Sequence, residues 1–216
     1  MHGLGDVRFF NRLAPIYDIV MPVADASALE AGLARAEGSV DQVVDLGGGS
    51  GRATIGLDAS SRIVLDISRP MLGHARHRPA DRTRRRLPNA AERETVGPLA
   101  AIQGDAGRLP IAHNAVDAAI TVDAFHHMPD QQSVVREAAR VVRPGGVFVI
   151  REFDPSHPLG WLLVRAEHAI GMDSTFYTPS ELADLLTEAG FSVSLVEAGF
   201  EYTLVGVLPD EPPAGE

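Results

Sequence analysis

Short apolar runs alternate with stretches of helical periodicity between residues 42 and 150, and this alternation constrains the fold more than any other feature. A repeat of strand and helix folds into a parallel sheet that is covered by helices on both faces. The predicted strands are residues 42–46, 62–67, 100–103, 116–122 and 146–150. The last run is apolar throughout, which suits the centre of such a sheet. We therefore predict a doubly wound α/β fold.

The C-terminal part of the chain follows a different pattern. Thr178 and Glu181 begin a capping box with proline at the first helical position, which predicts a helix. Residues 191–197 and 201–207 are predicted strands, and the link Ala198-Gly199 is too short for a parallel crossover. We therefore expect a mostly parallel, seven-stranded sheet with an antiparallel C-terminal hairpin.

Helices are predicted to connect the strands and to cover one edge of the sheet. The connecting helices are expected at 53–59, around Met71 and Leu72, and at 130–142, with a turn at 143–146. Two further segments fall outside the sheet pattern: 1–37, with helices at 7–20 and after Ser27, and 155–176, with one apolar helix. Doubly wound proteins bind ligands at the carboxyl edge of the sheet, so we expect both segments to act as lids there.

The length and composition predict one soluble domain. The chain has 216 residues, enough for a single core, and we expect a domain at 1–207, a disordered tail at 208–216 and a solvated loop at 77–97. No apolar stretch approaches a membrane span, and the polar N-terminus lacks the features of a signal peptide. A cytoplasmic protein is the expectation. The chain has no cysteine, which excludes disulfides, thiolate metal sites and a cysteine nucleophile.

The charge balance argues against a nucleic-acid partner. The chain has 29 acidic and 19 basic residues, for a net charge of −10, and all of its basic residues are arginine. Binding to the phosphate backbone depends on clustered basic side chains, so an acidic chain of this kind opposes it. The lack of lysine has two explanations that the sequence leaves open: adaptation to high salt, or codon bias in a GC-rich genome.

A salt titration separates these two explanations. If the acidic, lysine-free composition reflects a high-salt habitat, the melting temperature should rise markedly between dilute buffer and molar potassium chloride, beyond the range in which ordinary screening saturates. Thermal unfolding followed by circular dichroism measures this. A melting temperature that stays flat across that range favours codon bias.

The glycine-rich segment after the first predicted strand carries the main functional signal. It reads Asp45-Leu46-Gly47-Gly48-Gly49-Ser50-Gly51, and the sixth position of a dinucleotide fingerprint is Arg52 or Thr54 instead of glycine. The carboxylate of Asp45 would repel a pyrophosphate but attract an ammonium group beside a sulfonium. The segment therefore predicts a cationic, non-phosphorylated ligand, whose carboxylate would be bound by N–H groups of the following helix.

Two more aspartates follow predicted strands in register with the glycine segment. Asp66 is placed to accept hydrogen bonds from ribose hydroxyls, and Asp105 from an adenine amino group, with Ile67 and Met71 packing on the adenine faces. Each aspartate taken alone is more typical of a turn or helix cap. Three of them at successive strand ends favour a binding site.

The order of these motifs resembles the class I methyltransferases of the methyltransferase type 11 group. The similar segments are 43–52, 64–72, 104–120, 125–128, 136–150 and 181–191. The resemblance implies S-adenosylmethionine as cofactor. It also implies a cofactor site lined by the residues that match the family's motif, namely Asp45, Gly47, Gly49, Ser50, Asp66, Asp105, Ala106 and Val122.

A narrower resemblance is to the C-methyltransferases of ubiquinone and menaquinone biosynthesis. The segment 7–22 matches their opening pattern at Phe10, Asn11, Arg12, Tyr17 and Asp18, whereas residues 124–127 depart from it. The resemblance implies a prenylated quinol precursor as acceptor, reached by peripheral contact with the membrane, with Tyr17 closing over the cofactor. Alternatives are O- or N-methylation of a small metabolite, and a non-catalytic regulatory module that binds S-adenosylmethionine.

Activation of a phenolic acceptor requires a base, and three residues after the fourth predicted strand are candidates. His126 and His127 titrate in a useful range, and Asp123 is a further base or an orienting partner. Structural packing of the histidines is the alternative. Adjacent histidines are poorly placed to bind one ion and nothing near them in sequence completes a ligand set, so no metal site is expected.

Overall fold

The computed structural model describes residues 4–20, 27–77 and 99–210, which build one sheet flanked by helices. The strand order is β3-β2-β1-β4-β5-β7-β6. The strands are β1 Gln42–Leu46, β2 Ser61–Asp66, β3 Leu99–Gln103, β4 Val116–Val122, β5 Val142–Phe153, β6 Ser192–Glu197 and β7 Glu201–Val207. β1 to β5 pair in parallel, whereas β7 runs antiparallel to both β5 and β6. The predicted fold class is confirmed.

Six α-helices accompany the strands in the described part of the chain. They are α1 Leu4–Val20, α2 Ser27–Leu33, α3 Arg69–His77, α4 Gln131–Val141, α5 Pro158–Ala169 and α6 Pro179–Glu188. The predicted capping box is present at the start of α6, where Thr178 and Glu181 cap one another. Asp130 caps α4 by accepting a hydrogen bond from the Ser133 backbone N–H at 3.0 Å. None of these helices has the length and apolarity that a membrane span requires.

The core lies on both faces of the sheet, which explains the unbroken apolar sequence of residues 146–150 within β5. Phe148 and Ile150 pack into the larger core with α4 and α6, whereas Val147 and Val149 pack on the opposite face with Leu29 of α2. All four β5 side chains are fully buried. Successive residues of a strand face opposite sides, so a strand with helices on both sides is apolar at every position.

Two predicted elements differ from the structure. The helix expected at 53–59 is only a 3-10 turn, Thr54–Gly56, which ends where the backbone of Leu57 becomes extended. The Arg62 side chain donates to the Ile55 carbonyl at 2.9 Å and ends the turn. The turn expected at 143–146 lies inside β5, as a bulge between the pairs Val116–Val142 and Ala118–Val147.

The predicted start of the C-terminal tail also differs from the structure. Leu208 was assigned to a disordered tail, but its N–H donates to the Gly146 carbonyl at 2.9 Å and its carbonyl accepts from the Gly145 N–H at 2.7 Å. Ordered pairing therefore continues past β7. The remaining tail residues 211–216 and the loop residues 78–98 lie outside the described residues.

Most of the apolar side chains of α5 are exposed in the structure. Leu159, Leu162 and Ile170 are 55%, 58% and 63% exposed, and Trp161 between them is 56% exposed. The side chain that reaches inward is Glu167, which contacts His126. The predicted helix is therefore present, and its role as a lid stays a prediction.

The start of α5 packs too tightly for any side chain at Gly160. A Cβ atom there would lie 1.8 Å from the Asp154 carbonyl oxygen. We expect Gly160→Ala to lower the free energy of unfolding by about 1–3 kcal/mol, since backbone must move to accept the methyl group. Gly73→Ala in α3 is the matched control, because a Cβ there meets nothing within 4 Å and alanine favours the helix by about 0.5–1 kcal/mol. Equal melting temperatures for both variants would contradict this packing.

Candidate functional site

A cavity of about 360 Å³ lies at the carboxyl ends of the parallel strands. The strand order reverses between β1 and β4, and the loops that leave these two strands separate to form the crevice. Helix α1 covers the cavity with Asp6, Val7, Phe10 and Tyr17. A cavity of this size fits one small ligand.

Asp45 ends β1 and lies at the base of the cavity. It is 1% exposed, its Oδ2 accepts a hydrogen bond from the Thr54 hydroxyl, and its Oδ1 has no hydrogen-bond partner among the residues that the structure describes. Burial raises the pKa of Asp45 to about 7, with Thr54 acting in the opposite direction and Asp66 adding to the rise. A Cβ at position 48 would lie 2.5 Å from this carboxylate, so Gly48 is required there. A buried carboxylate oxygen of this kind suits a cationic ligand group.

Asp66 ends β2 and ties the glycine loop to the neighbouring strand. Its Oδ2 accepts from the Gly49 N–H at 2.9 Å, and its Oδ1 accepts from the Ser68 N–H at 2.6 Å. Burial raises the pKa of Asp66, although the two backbone N–H groups oppose the rise. Gly49 has a φ of +55°, a conformation that glycine adopts without strain. Asp66 therefore fixes the shape of the loop as well as lining the cavity.

The predicted cofactor residues converge on this cavity, with one exception. Those that line it are Tyr17, Asp45, Gly47, Gly49, Asp66, Ile67, Met71, Asp105, Ala106 and Val122. Ser50 is buried and is not part of the cavity wall. Asp105 also accepts from the Gly107 N–H at 2.8 Å, so the turn-cap and the cavity-lining descriptions both apply to it.

Asp123 follows β4 and forms an ion pair at the cavity wall. The Arg52 Nη2 lies 2.7 Å from the Asp123 Oδ2, and the Arg52 guanidinium also hydrogen-bonds to Tyr17 of α1. The second oxygen, Asp123 Oδ1, is buried and finds no hydrogen-bond partner within the described ranges. Burial raises the pKa of Asp123, and Glu152 adds to the rise, while Arg52 opposes it. The backbone of Asp123 has a φ of 51°, a strained conformation for a residue other than glycine.

His126 lies behind the cavity wall and does not line it. It is buried, its Nδ1 lies 2.6 Å from Glu152 Oε2, and its ring stacks on Phe176 at 4.3 Å. Burial alone would lower the pKa of His126, but Glu152 and Glu167 outweigh it and raise this pKa to about 10. The role of His126 as a base stays a prediction that this geometry does not favour, because a ring with a pKa of about 10 already carries the proton at neutral pH.

His127 does line the cavity, and α1 contacts it directly. Its Nδ1 lies 3.2 Å from Asp6 Oδ2, and the ring packs edge-on against Phe10 at 4.8 Å. Asp6 also accepts from the Asp173 N–H at 3.1 Å. Burial raises the pKa of Asp6, but these hydrogen bonds reverse the effect and leave it below the usual value. Asp6 thus joins α1, the turn after β4 and the segment after α5.

Comparison with known proteins identifies the domain that builds this site. Residues 44–150, which run from β1 through the core of β5, match the family described as a methyltransferase domain. Residues 44–150 of this chain belong to the methyltransferase domain family. The glycine loop and the three strand-end aspartates all lie within this methyltransferase domain.

Curated relatives of the methyltransferase domain include quinone methyltransferases. The chain is 30% identical to the rice 2-methyl-6-phytyl-1,4-hydroquinone methyltransferase 2 of the chloroplast, over 69% of this chain and 38% of that protein. It is 28% identical to a demethylmenaquinone methyltransferase of Roseiflexus, over 93% of this chain and 88% of that protein. The chain spans about two fifths of the length of the rice relatives.

A solved structure supports the fold of the methyltransferase domain. A methyltransferase of Thermotoga maritima, described as a possible histamine N-methyltransferase, superposes with a TM-score of 0.68. The two chains are 20% identical, and the match covers 93% of this chain and 98% of that one. At this identity the likeness shows the fold alone.

Several residues of the site gave no sequence signal. Arg52 follows the glycine loop of the methyltransferase domain, but nothing in the sequence pairs it with Asp123, which lies 71 positions later. Asp6, Glu152 and Glu167 likewise meet the histidines only through the fold. The only sequence evidence for these residues is that they are polar and lie near predicted strand ends or lid segments.

Proposed function

We propose that this protein is an enzyme that transfers a methyl group from S-adenosylmethionine to a small acceptor molecule. The observation that carries the proposal is the buried Asp45 carboxylate, whose Oδ1 has no hydrogen-bond partner among the described residues and which lies beside a glycine loop in a methyltransferase domain. An unpaired carboxylate oxygen is costly to bury unless a ligand uses it.

The residues of the cavity fit this cofactor. Asp45 would hold the ammonium group, and Asp66 would accept from the ribose hydroxyls with the lone pairs that Gly49 and Ser68 leave. Asp105 would bind the adenine amino group, and Ile67 and Met71 line the same cavity for its faces. S-adenosylmethionine supplies an electrophilic methyl group on a sulfonium centre.

Asp123 is the proposed base, and it replaces His126 in that role. Its Oδ1 is buried without a partner in the described part of the chain, and Arg52 holds the other oxygen in place. A carboxylate with a raised pKa accepts a phenolic proton more readily than an ordinary one. The remaining rate enhancement comes from holding the acceptor in line, for which Phe10 and Tyr17 of α1 form the cover.

The proposed acceptor is a prenylated quinol precursor, methylated on a ring carbon. The names of the rice and Roseiflexus relatives support this class of acceptor. Phe10 and Tyr17 of α1 would cover the acceptor ring at the edge of the bound cofactor, whereas the exposed Leu159, Trp161 and Leu162 of α5 offer apolar surface outside the cavity for an isoprenoid tail. The same surface would allow peripheral contact with a membrane.

Deletion of the gene followed by mass spectrometry of the respiratory quinones tests the acceptor. We expect a quinone that lacks one ring methyl group, restored by the wild-type gene and not by an Asp45→Ala variant. If every quinone keeps its full set of ring methyl groups, the quinone acceptor is wrong, and O- or N-methylation of a small metabolite takes its place.

A further inference from the structure

Three side chains that could bind a metal ion converge beside the cavity, although one of them, Glu167, is distant from the other two in the sequence. His126 and His127 lie on the 3-10 turn after β4, and Glu167 lies on α5. One ligand atom from each lies within 4.8 Å of the others. The expectation that nothing completes a ligand set around the two histidines therefore fails, because the fold brings Glu167 to them.

The two histidines present their rings together. The 3-10 turn places the ring centroids 3.9 Å apart with an interplanar angle of 49°. The His126 Nε2 lies 3.7 Å from Glu167 Oε1, which is too long for an ordinary hydrogen bond. Two ligands bound to one tetrahedral ion at about 2.1 Å are separated by about 3.4 Å, so a small movement accommodates an ion between them.

Each of the three side chains has a second partner that orients it. Glu152 lies 2.6 Å from the His126 Nδ1, and Asp6 lies 3.2 Å from the His127 Nδ1. The Ser174 hydroxyl donates to Glu167. Metal-binding histidines and carboxylates characteristically have such outer partners, which fix the ring orientation and strengthen the ligand.

We infer that His126, His127 and Glu167 form a binding site for a zinc ion. Two imidazoles and one carboxylate match the three-ligand sets that hold zinc with one position open, and they suit magnesium or calcium poorly because those ions prefer oxygen ligands. When no ion is bound, a protonated His126 pairs with the carboxylates of Glu152 and Glu167.

The proposed zinc site lies next to the cavity at the carboxyl ends of the strands. His127 lines that cavity and also a second, more open depression lined by His168, Met172 and Ser174. An ion can reach His127 from the depression, which this residue also lines. Zinc binding does not depend on the proposed methyl transfer, and it is measured without cofactor or acceptor.

Titration of the full chain with zinc chloride alone, after chelator treatment and removal of the chelator, tests the inference. Isothermal titration calorimetry should show one zinc ion per chain, and zinc should raise the melting temperature. Glu167→Gln and His127→Asn should each weaken binding at least a hundredfold, and Asp6→Asn tenfold to a hundredfold. His113→Ala, which removes an exposed histidine outside the cluster, should bind as the wild type does.

The melting curve without zinc shows whether each variant folds. Glu167→Gln keeps the size of the side chain, so it preserves the fold while removing the negative ligand. The inference is overturned if the wild-type chain takes up no stoichiometric zinc. It is also overturned if folded Glu167→Gln and His127→Asn bind zinc as tightly as His113→Ala, or if magnesium competes equally for the site.

Discussion

Replacing Asp45 with asparagine should weaken S-adenosylmethionine binding about tenfold to a hundredfold or more, and should stabilise the ligand-free protein at pH 8. The loss follows from removing a charged hydrogen-bond acceptor worth roughly 1.5–3 kcal/mol. Asparagine keeps an oxygen for the Thr54 hydroxyl, so the contact inside the protein is retained. Calorimetric titration measures the affinity, and chemical denaturation measures the stability.

The burial of the Asp45 carboxylate determines how the stability gained in Asp45→Asn changes with pH. The pKa of Asp45 is about 7 in the folded protein, against an ordinary value of 3.8, so folding favours the neutral form. The contribution of the neutral form is fully present below pH 4 and is lost as the pH rises through 7. The variant should therefore exceed the wild type by about 2–4 kcal/mol at pH 8 and by little at pH 4.

Asp184→Asn is the matched control, since it removes an exposed carboxylate on α6. It should leave both the affinity and the pH dependence of stability unchanged. Asp66 is a less direct test, because its carboxylate also holds the Gly49 and Ser68 backbone N–H groups and its loss would disturb the loop. Unchanged cofactor affinity in Asp45→Asn would remove the main support for the proposed cofactor site.

Asp123→Asn should lower the rate of methyl transfer by about a hundredfold to ten-thousandfold, while cofactor affinity changes little. The asparagine remains able to accept from Arg52, so the cavity wall is kept while the base is lost. The rate is measured as incorporation of labelled methyl groups into a lipid extract of the source cells. Activity within a few-fold of the Asp184→Asn control would exclude Asp123 as the base.

The pH profile distinguishes a base from a merely structural residue. With Asp123 as base, the wild-type rate should rise with pH as this carboxyl loses its proton, and its raised pKa places the rise above the usual range for aspartate. Asp123→Asn should lose that rise. A structural role would lower the rate equally at every pH.

The sequence predicted those parts of the fold that depend on local pattern. The alternation of strands and helices, the capping box at Thr178 and the antiparallel hairpin are each encoded within a few neighbouring residues. The helix expected after the glycine loop is only a 3-10 turn, and one of its carbonyls is bound by Arg62 of β2, a partner that the local pattern does not show. The exposed apolar side of α5 has the same periodicity as a buried one, so the pattern could not distinguish them.

The sequence predicted those residues of the site that lie at the carboxyl ends of the strands. Asp45, Asp66 and Asp105 reach one cavity because parallel strands bring their carboxyl ends to the same edge. The partners that decide the state of each group come from distant segments: Arg52 beside Asp123, Glu152 beside His126, and Asp6 beside His127. His126 illustrates the consequence, since two carboxylates that the sequence could not place there turn a candidate base into a charged, buried group.

Incubation of the purified protein with methyl-labelled S-adenosylmethionine and extracts of its source cells tests the central claim most directly. We expect label to pass to a product in the prenylated lipid fraction, identified by mass spectrometry, and we expect Asp45→Asn and Asp123→Asn to lose this transfer. Label in a small polar product instead would correct the acceptor alone. A protein that binds the cofactor but transfers no label to any product would contradict the account and indicate a non-catalytic binding module.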